Sequence, residues 1–264
     1  MTVFITGVNF EDKRGFIGSH LVDYLSSINY PYVTLEGDIL KTNSVTKQMR
    51  NCDTVIHLAG LHKIDVGEND PNLFFQTNVN GTWSILQAAL KNKVKKFIFP
   101  SSLAVVYNRR TTYAMTKMIV EEMLQTYGDR MTFIMFRLAS VYDEEHGTIG
   151  WLLNAHEPIN LYGDGKQVRD FVHVDDVSEV FARALMWDKR QSFRCDVGTG
   201  RGSTMISLAE LARVKYNLVP DPNPQFNPPF NVANSVTSQE TLGWVPQVDF
   251  RDFIVMHRKR RVMV

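Results

Sequence analysis

Little in this chain of 264 residues marks it out by charge or by covalent staples. Cysteine occurs twice, as Cys52 and Cys195, each in or beside an apolar run. Two cysteines cannot build the disulfide framework of a small secreted domain, and they fit a reducing compartment. The net charge is +1, which leaves no electrostatic footprint for nucleic acid or an anionic membrane. No apolar run approaches the roughly 18 residues that a membrane helix needs. The chain opens on a strand-like run with no charged and apolar leader before it, so a cytoplasmic protein is expected. Repeats and low-complexity blocks are absent, and no metal site is expected. What is present is 44% hydrophobic and 22% charged, enough for one large α/β domain or such a domain with a small cap.

Strand-like runs fall at 3–6, 32–35, 54–58, 96–100, 132–138 and 193–197. Most are apolar almost throughout, as parallel strands covered on both faces are. Helical patterns lie between and after them, at 18–27, 72–91, 113–127, 174–187 and 207–214. The alternation predicts right-handed βαβ units and a doubly wound parallel sheet of Rossmann type, with a small C-terminal substrate-binding portion. The expected division is 1–140 for the nucleotide-binding domain and 141–264 for the substrate portion, with some later segments returning to the sheet. After Val214, "NLVPDPNPQFNPPF" carries five prolines and three asparagines. Neither helix nor central strand tolerates that, so an ordered loop over the open end of the domain is expected. The basic tail "HRKRRVMV" reads as a solvated helix end.

The stretch "FITGVNFEDKRGFIGSHL" places a strand, a glycine and a glycine-led helix in the order that a dinucleotide site requires. Gly15 and Gly18 would let the backbone approach a pyrophosphate at the helix N-terminus. Eighteen residues beyond Gly18, Glu36 is suitably placed for ribose hydroxyls. Seven residues, 8–14, separate Gly7 from Gly15, and two of them are acidic and two basic. They argue either for a plain turn without ligand or for an outward bulge whose Lys13 and Arg14 neutralise phosphate.

"SSLAVVYNRRTTYAMTK" carries the chemistry. Ser101 and Ser102 end a buried strand, and Tyr113 and Lys117 follow at i, i+4, a spacing that stacks both on one helix face. A nearby ammonium favours phenolate and lowers the tyrosine from its usual pKa of about 10. With a serine hydroxyl beside it, the pair can take a proton from an alcohol.

Together these residues resemble the extended short-chain dehydrogenase/reductases, and among them the NAD-dependent sugar-nucleotide epimerase/dehydratase family. "TG…GFIGSHL", with Gly7, Gly15, Phe16, Ile17 and Gly18, resembles its nucleotide loop. "GDI", with Asp38 and Ile39, resembles its adenine contact, and "VIHLAG", with Leu58, Ala59 and Gly60, the strand bordering the cofactor. "NVNGTWSILQAA", "LYGDGKQVRDFVHVDDV", "VGTGRG" and "LGWVP" resemble later landmarks, and "HLAGLHKIDVGEN" is closest in flavour to the UDP-galactose 4-epimerases. The resemblance implies Tyr113 as base, Lys117 holding the nicotinamide ribose and Ser102 assisting, since Ser102 lies three residues beyond Phe99. It implies Asn78 as a brace, and His62, Ser102, Ser140 and Arg169 on the substrate side, Arg169 binding its diphosphate. It also implies NAD, a nucleotide-sugar substrate, and a homodimer built from helices 72–91 and 113–127.

Four departures stand against that pattern. The loop between Ser102 and Tyr113 is short, and one strand-like run replaces two before "TVIHLAG". Ser140 stands where the family has asparagine, and the Pro-rich segment lacks an arginine. Family dehydratases place Asp-Glu after the catalytic threonine, and the decarboxylases need a glutamate there. Leu103 and Ala104 can carry no proton, so dehydration is excluded on chemistry. The expected function is epimerisation of a nucleotide-activated sugar through a transient keto-sugar. A nucleotide-sugar reductase and a non-catalytic NAD-binding protein are the alternatives.

Overall fold

The apolar runs of the first half become parallel strands because helices cover both of their faces. The structure is a computed structural model and describes residues 1–10, 13–156 and 158–261. From the N-terminus, β1 (Val3–Thr6) leads through a hairpin of β2 (Asn9–Phe10) and β3 (Lys13–Arg14) into α1 (Phe16–Ser27). β4 (Tyr32–Thr34), α2 (Thr42–Gln48), β5 (Thr54–His57) and α3 (Ile64–Asn69) come after it. The next helical stretch is α4 (Pro71–Phe74), a π-turn at Phe75–Asn80, and α5 (Gly81–Lys91). Then come β6 (Lys96–Ser102), α6 (Ala104–Tyr107), α7 (Thr112–Gln125) and β7 (Thr132–Leu138). The chain leaves through β8 (Ser140–Tyr142), α8 (Gly147–Asn154), β9 (Ile159–Tyr162) and β10 (Val168–His173), and returns by α9 (Val174–Leu185) to β11 (Phe193–Val197). β12 (Gly202–Thr204), α10 (Met205–Ala212), β13 (Tyr216–Val219), a 3-10 turn at Pro224–Phe226, β14 (Phe230–Asn231), α11 (Val236–Leu242) and α12 (Phe250–Arg261) complete it.

Six parallel strands form the main sheet in the order β11-β7-β6-β5-β1-β4. Winding runs outward in both directions from the β1–β5 pair, so the crevice for a ligand opens at the C-terminal ends of those strands. Alternate residues feed two cores. Val3, Ile5, Ile56, Ile98 and Ile134 face α1 and α9, while Phe4, Val55, Phe97, Phe99 and Phe133 face α2, α5 and α7. A single strand, β4, forms the edge beside β1, in keeping with the single strand-like run before "TVIHLAG". Buried Lys96 caps α9 by donating to the carbonyls of Ala184 at 2.9 Å and Leu185 at 2.8 Å, a favourable place for a cation.

Above the strand ends sits a second sheet, β12-β10-β14 with β8 on β10, and a third of β13 with β9. The third core packs α8, α10 and α12 against them. Two carboxylates account for the late sequence landmarks. Asp170 accepts from Thr199 N, Thr199 Oγ1, Gly200 N and Ala233 N, and so folds "VGTG" beneath β14. Asp176 accepts from Gln247 N and Val248 N while its carbonyl takes the indole N–H of fully buried Trp244, which docks "LGWVP" on α9.

The Pro-rich segment departs from the expected loop. Residues 217–219 belong to β13, and Phe230 begins β14, which pairs in parallel with β10. Both strands lie at sheet edges, where a missing N–H is tolerated. The tail is also partly tied down. His257 bonds Glu144 Oε1 at 2.6 Å, and Arg258 donates to the Leu211 carbonyl. Residues 262–264 lie outside the described residues.

Candidate active site

Backbone packs on backbone at the glycine crossover. Gly7 takes φ +75°, and a Cβ there would stand 2.5 Å from Ala59 N and 2.7 Å from the Leu58 carbonyl carbon. A Cβ on Gly15 or Gly18 would run into the Gly7 carbonyl oxygen. Gly15 N donates to Val8 O at 2.6 Å, closing the β2–β3 hairpin at its base. The insertion therefore hangs on a closed loop, and the helix start keeps its approach to Gly7. Its turn, Glu11 and Asp12, and the Lys13 side chain lie outside the described residues. Arg14 is exposed and paired with Asp23, turned along α1. No side chain caps α1 and no acid sits in its first turn, so its leading N–H groups suit an anion. Phe16 stacks on His146 with centroids 4.5 Å apart, and Ile17 packs into the α1–α9 core. A cradle this close-packed, ending at an uncapped helix, fits a dinucleotide diphosphate.

Glu36 lies just beyond β4, exposed, with its backbone clamped on both sides by the Gln48 amide of α2. Asp38 is also exposed but spends Oδ1 on Leu40 N at 2.9 Å. Ile39 covers Gly81, where a Cβ would strike its side chain. Leu58, Ala59 and Gly60 continue β5 past Gly7, and Asn78 braces the next residue, Leu61. Its Oδ1 accepts from Leu61 N at 2.7 Å, and its Nδ2 donates to Leu61 O and to Thr116 Oγ1 on α7. The π-turn is what aims Asn78 inward, a local irregularity common at functional sites.

Beneath this loop lies a network that motif reading passed over. Thr82 donates to Asn78 O at 2.5 Å, so His57 Nε2–H donates to Thr82 Oγ1 at 3.0 Å. The other ring nitrogen then accepts from Thr6 Oγ1 at 2.7 Å, and that same oxygen takes Ala59 N–H. Full burial, with Lys117 a smaller cause, holds the His57 pKa down to about 3. Its sequence signal was a histidine inside the apolar run "TVIHL".

Ser102, Tyr113 and Lys117 are brought together at the end of β6. Thr111 caps α7 by accepting Ala114 N, and Glu68 Oε1 accepts Thr112 N at 2.6 Å, which sets the helix start. Ser101 is turned away and donates to Glu121 at 2.5 Å, whereas Ser102 accepts from Ala104 N and lies on the side of the Tyr113 phenol, whose proton affinity it lowers. Lys117 Nζ lies 5.9 Å from the Tyr113 ring centre. One expectation is corrected: the phenol is pushed up rather than down. Burial is the larger cause, and the Ser102 hydroxyl draws it partly back. Lys117 is occupied elsewhere, donating to Pro100 O at 2.8 Å and lying 4.5 Å over the Phe99 ring. Burial lowers Lys117 itself to about 8, against the pull of Glu121.

Arg169 stands on β10, half-buried, its guanidinium held by Val168 O and Asn227 Oδ1 of the Pro-rich segment. Desolvation lowers its pKa to about 10, and among the described residues no carboxylate pairs with it. Ser140 lies on the adjacent strand β8, two rows along, and Asn231 pairs with Arg169 across β14. The Asn231 Oδ1 atom is buried without a partner. His62 is exposed beside the loop, its pKa lowered by desolvation first and then by Lys117 and Lys63.

Comparison with known proteins agrees with this geometry. Residues 3–194 match the NAD dependent epimerase/dehydratase family. The chain belongs to that family. Curated family members similar to it include a UDP-glucose 4-epimerase of Azospirillum brasilense, 26% identical over 318 residues, covering 96% of this chain and 89% of the relative. A second, from Mycolicibacterium smegmatis, is 27% identical over 304 residues and covers 94% of each chain. Among solved structures, UDP-glucose 4-epimerase of Thermus thermophilus in complex with NAD superposes with TM-score 0.84 at 25% identity, over 100% of both chains. The family's fold is seen again in the UDP-glucose complex of the Thermotoga maritima enzyme, TM-score 0.85 at 23% identity over 100% of both. No helix among the described residues is long and apolar enough to cross a membrane.

Proposed function

We propose that this chain is an NAD-dependent epimerase of a nucleotide-activated sugar. The observation that carries the reading is the convergence of Ser102, at the end of β6, with Tyr113 and Lys117 one turn apart on α7, the Lys117 Nζ lying 5.9 Å from the phenol ring centre. When bound, NAD supplies a reversible hydride acceptor, so that a sugar hydroxyl is oxidised to a ketone and the ketone reduced again. Gly7, Gly15, Phe16, Ile17 and Gly18 would hold its diphosphate, Glu36, Asp38 and Ile39 its adenosine half. Leu58, Ala59, Gly60, Asn78 and Lys117 would border the nicotinamide half. The Glu36 carboxylate disfavours a 2′-phosphate, and so favours NAD over NADP.

Tyr113 Oη takes the proton of the sugar hydroxyl in one direction and returns it in the other. Ser102 shares a hydrogen bond with the same sugar oxygen. Because burial raises the phenol, Lys117, while it is an ammonium, is the group that can bring it toward phenolate. Leu103 and Ala104, both buried and apolar, come directly after Ser102, so no side chain there can shuttle the proton of a dehydration. Arg169, a desolvated cation with no carboxylate partner among the described residues, suits the substrate diphosphate, with Ser140 and His62 toward the sugar. The curated relatives are named UDP-glucose 4-epimerases, which makes uridine diphosphate sugars the first substrates to test.

Two free, buried cysteines are in keeping with a cytoplasmic setting. Leu73, Trp83, Met115 and Ile119 are exposed apolar residues on α4, α5 and α7, and we assign them to a homodimer of four packed helices.

The test is Tyr113→Phe in an assay of UDP-galactose and UDP-glucose interconversion without added reductant. Fold and NAD content should survive, since one oxygen is lost from a half-buried ring. Turnover should fall by about 10² to 10⁴. In a second assay with NADH supplied, its steady consumption by the parent would make it a reductase on the same scaffold. If no nucleotide sugar turned over and Tyr113→Phe matched the parent, the chain would be a non-catalytic NAD-binding protein.

A further inference from the structure

Three side chains of α7 stand one turn apart on a single face: Tyr113, Lys117 and Glu121. The first two enter the proposed reaction, and the third has had no part in it. Glu121 is 2% exposed, deeper than Lys117 at 8%. Its Oε1 accepts from Ser101 Oγ at 2.5 Å and Arg137 Nε at 2.9 Å. Its Oε2 accepts from Arg137 Nη2 at 2.6 Å and Arg194 Nη1 at 3.4 Å. Ser101 and Ser102 are neighbours on β6, and strand alternation sends their hydroxyls to opposite faces. One carboxylate thus fastens α7 to the ends of β6 and β7 and to the start of β11, with Asp196 of β11 acting on Arg137 as well.

A structural bridge would be complete with those partners. Glu121 has one more electrostatic neighbour, Lys117, on which it is the opposing influence to burial. The other titratable groups acting around Lys117 are Tyr113 of α7, His57 of β5 and His62 of the loop after β5. Both imidazoles are shifted toward their neutral forms, so they place no lasting charge beside it. Among the described residues, Glu121 is the acid that acts on the lysine.

We propose that Glu121 is a positioning residue, the buried counter-charge that keeps Lys117 an ammonium and holds the Ser102 end of β6 against α7. This rests on the roles given above to Tyr113, Lys117 and Ser102. Loss of the carboxylate lets the ammonium discharge at lower pH, and the charge that favours phenolate goes with it.

Two readouts on the NAD-loaded protein test it: the alkaline limb of kcat/KM, and the titration of Lys117 by NMR with carbon-13 lysine, its signal assigned with Lys117→Arg. Glu121→Gln should move both midpoints down by about one pH unit. Arg137→Met breaks the same bridge but leaves the carboxylate one cation fewer, so both midpoints should move up. A bridge of purely structural worth would lower the melting temperature of both variants and leave the midpoints unchanged, which overturns the proposal. A downward shift in Arg137→Met overturns it too, and that variant decides alone if Glu121→Gln does not fold. If the parent fails to epimerise any sugar, the functional reading falls, while the lysine titration still judges Glu121.

Discussion

At His57 a single ring joins the end of β1 to β5 and to the helix that carries Asn78. Its neutral form is required there, because Thr82 has given its own proton to Asn78 O and can only accept from Nε2. The unfolded chain binds a proton on this residue below its ordinary pKa of 6.5, whereas the folded ring resists until about 3. The stability contribution is therefore intact above pH 6.5 and lost as the pH falls toward 3. Denaturant melts at several pH values in that window should show the parent losing about 1.4 kcal/mol per pH unit more than His57→Gln. Equal slopes would mean that the folded ring takes up the proton freely. The same scale shows why motif and mechanism come apart at Tyr113. The i, i+4 spacing to Lys117 was legible, but the direction of the phenol shift was not, since it depends on burial and on where the ammonium is turned.

Among the elements, the β2–β3 hairpin answers the question that the seven extra residues pose. Val8 and Gly15 meet directly, so the crossover closes without help from the residues between them. Replacing 9–14 by two residues should leave NAD affinity within about tenfold, or 1.4 kcal/mol, by calorimetric titration. A thousandfold loss would show that the hairpin itself holds the cofactor. The stretch from Pro71 to Lys91 makes the opposite point. Its helical period was legible, but the π-turn inside it was not, because nothing in the apolar spacing around Asn78 announces an extra residue. Only the contacts of Asn78 with Leu61 and Thr116 give that turn a reason.

For the whole molecule, α4, α5 and α7 carry exposed apolar side chains on the outside of the domain, away from the cores beneath the sheet. Charge placed there should separate protomers without touching the site. Trp83→Glu combined with Met115→Glu should shift the protein from dimer to monomer in sedimentation velocity, with its melting profile still cooperative. A parent that sediments as a monomer at the same concentration would end the homodimer proposal. The two-way winding of the sheet has its own consequence. β11, far beyond β6 in the chain, pairs with β7 and supplies Arg194 to the carboxylate behind Ser101.

Local chemistry determined much of this protein in advance. Buried parallel strands must be apolar on both faces, so their runs stood out, and 132–138 and 193–197 coincide with β7 and β11. Glycine at 7, 15 and 18 and the Ser-Ser, Tyr and Lys set were visible because each depends on spacing within one segment. The tertiary structure decided what depends on segments far apart. It separated Ser101 from Ser102, put β13 and β14 inside the Pro-rich segment by giving them edge partners, and turned Lys117 onto Pro100 and Phe99. The physical reason is common to all three. Hydrogen-bond partners and desolvation belong to the assembled environment of a side chain, and one segment read alone contains neither.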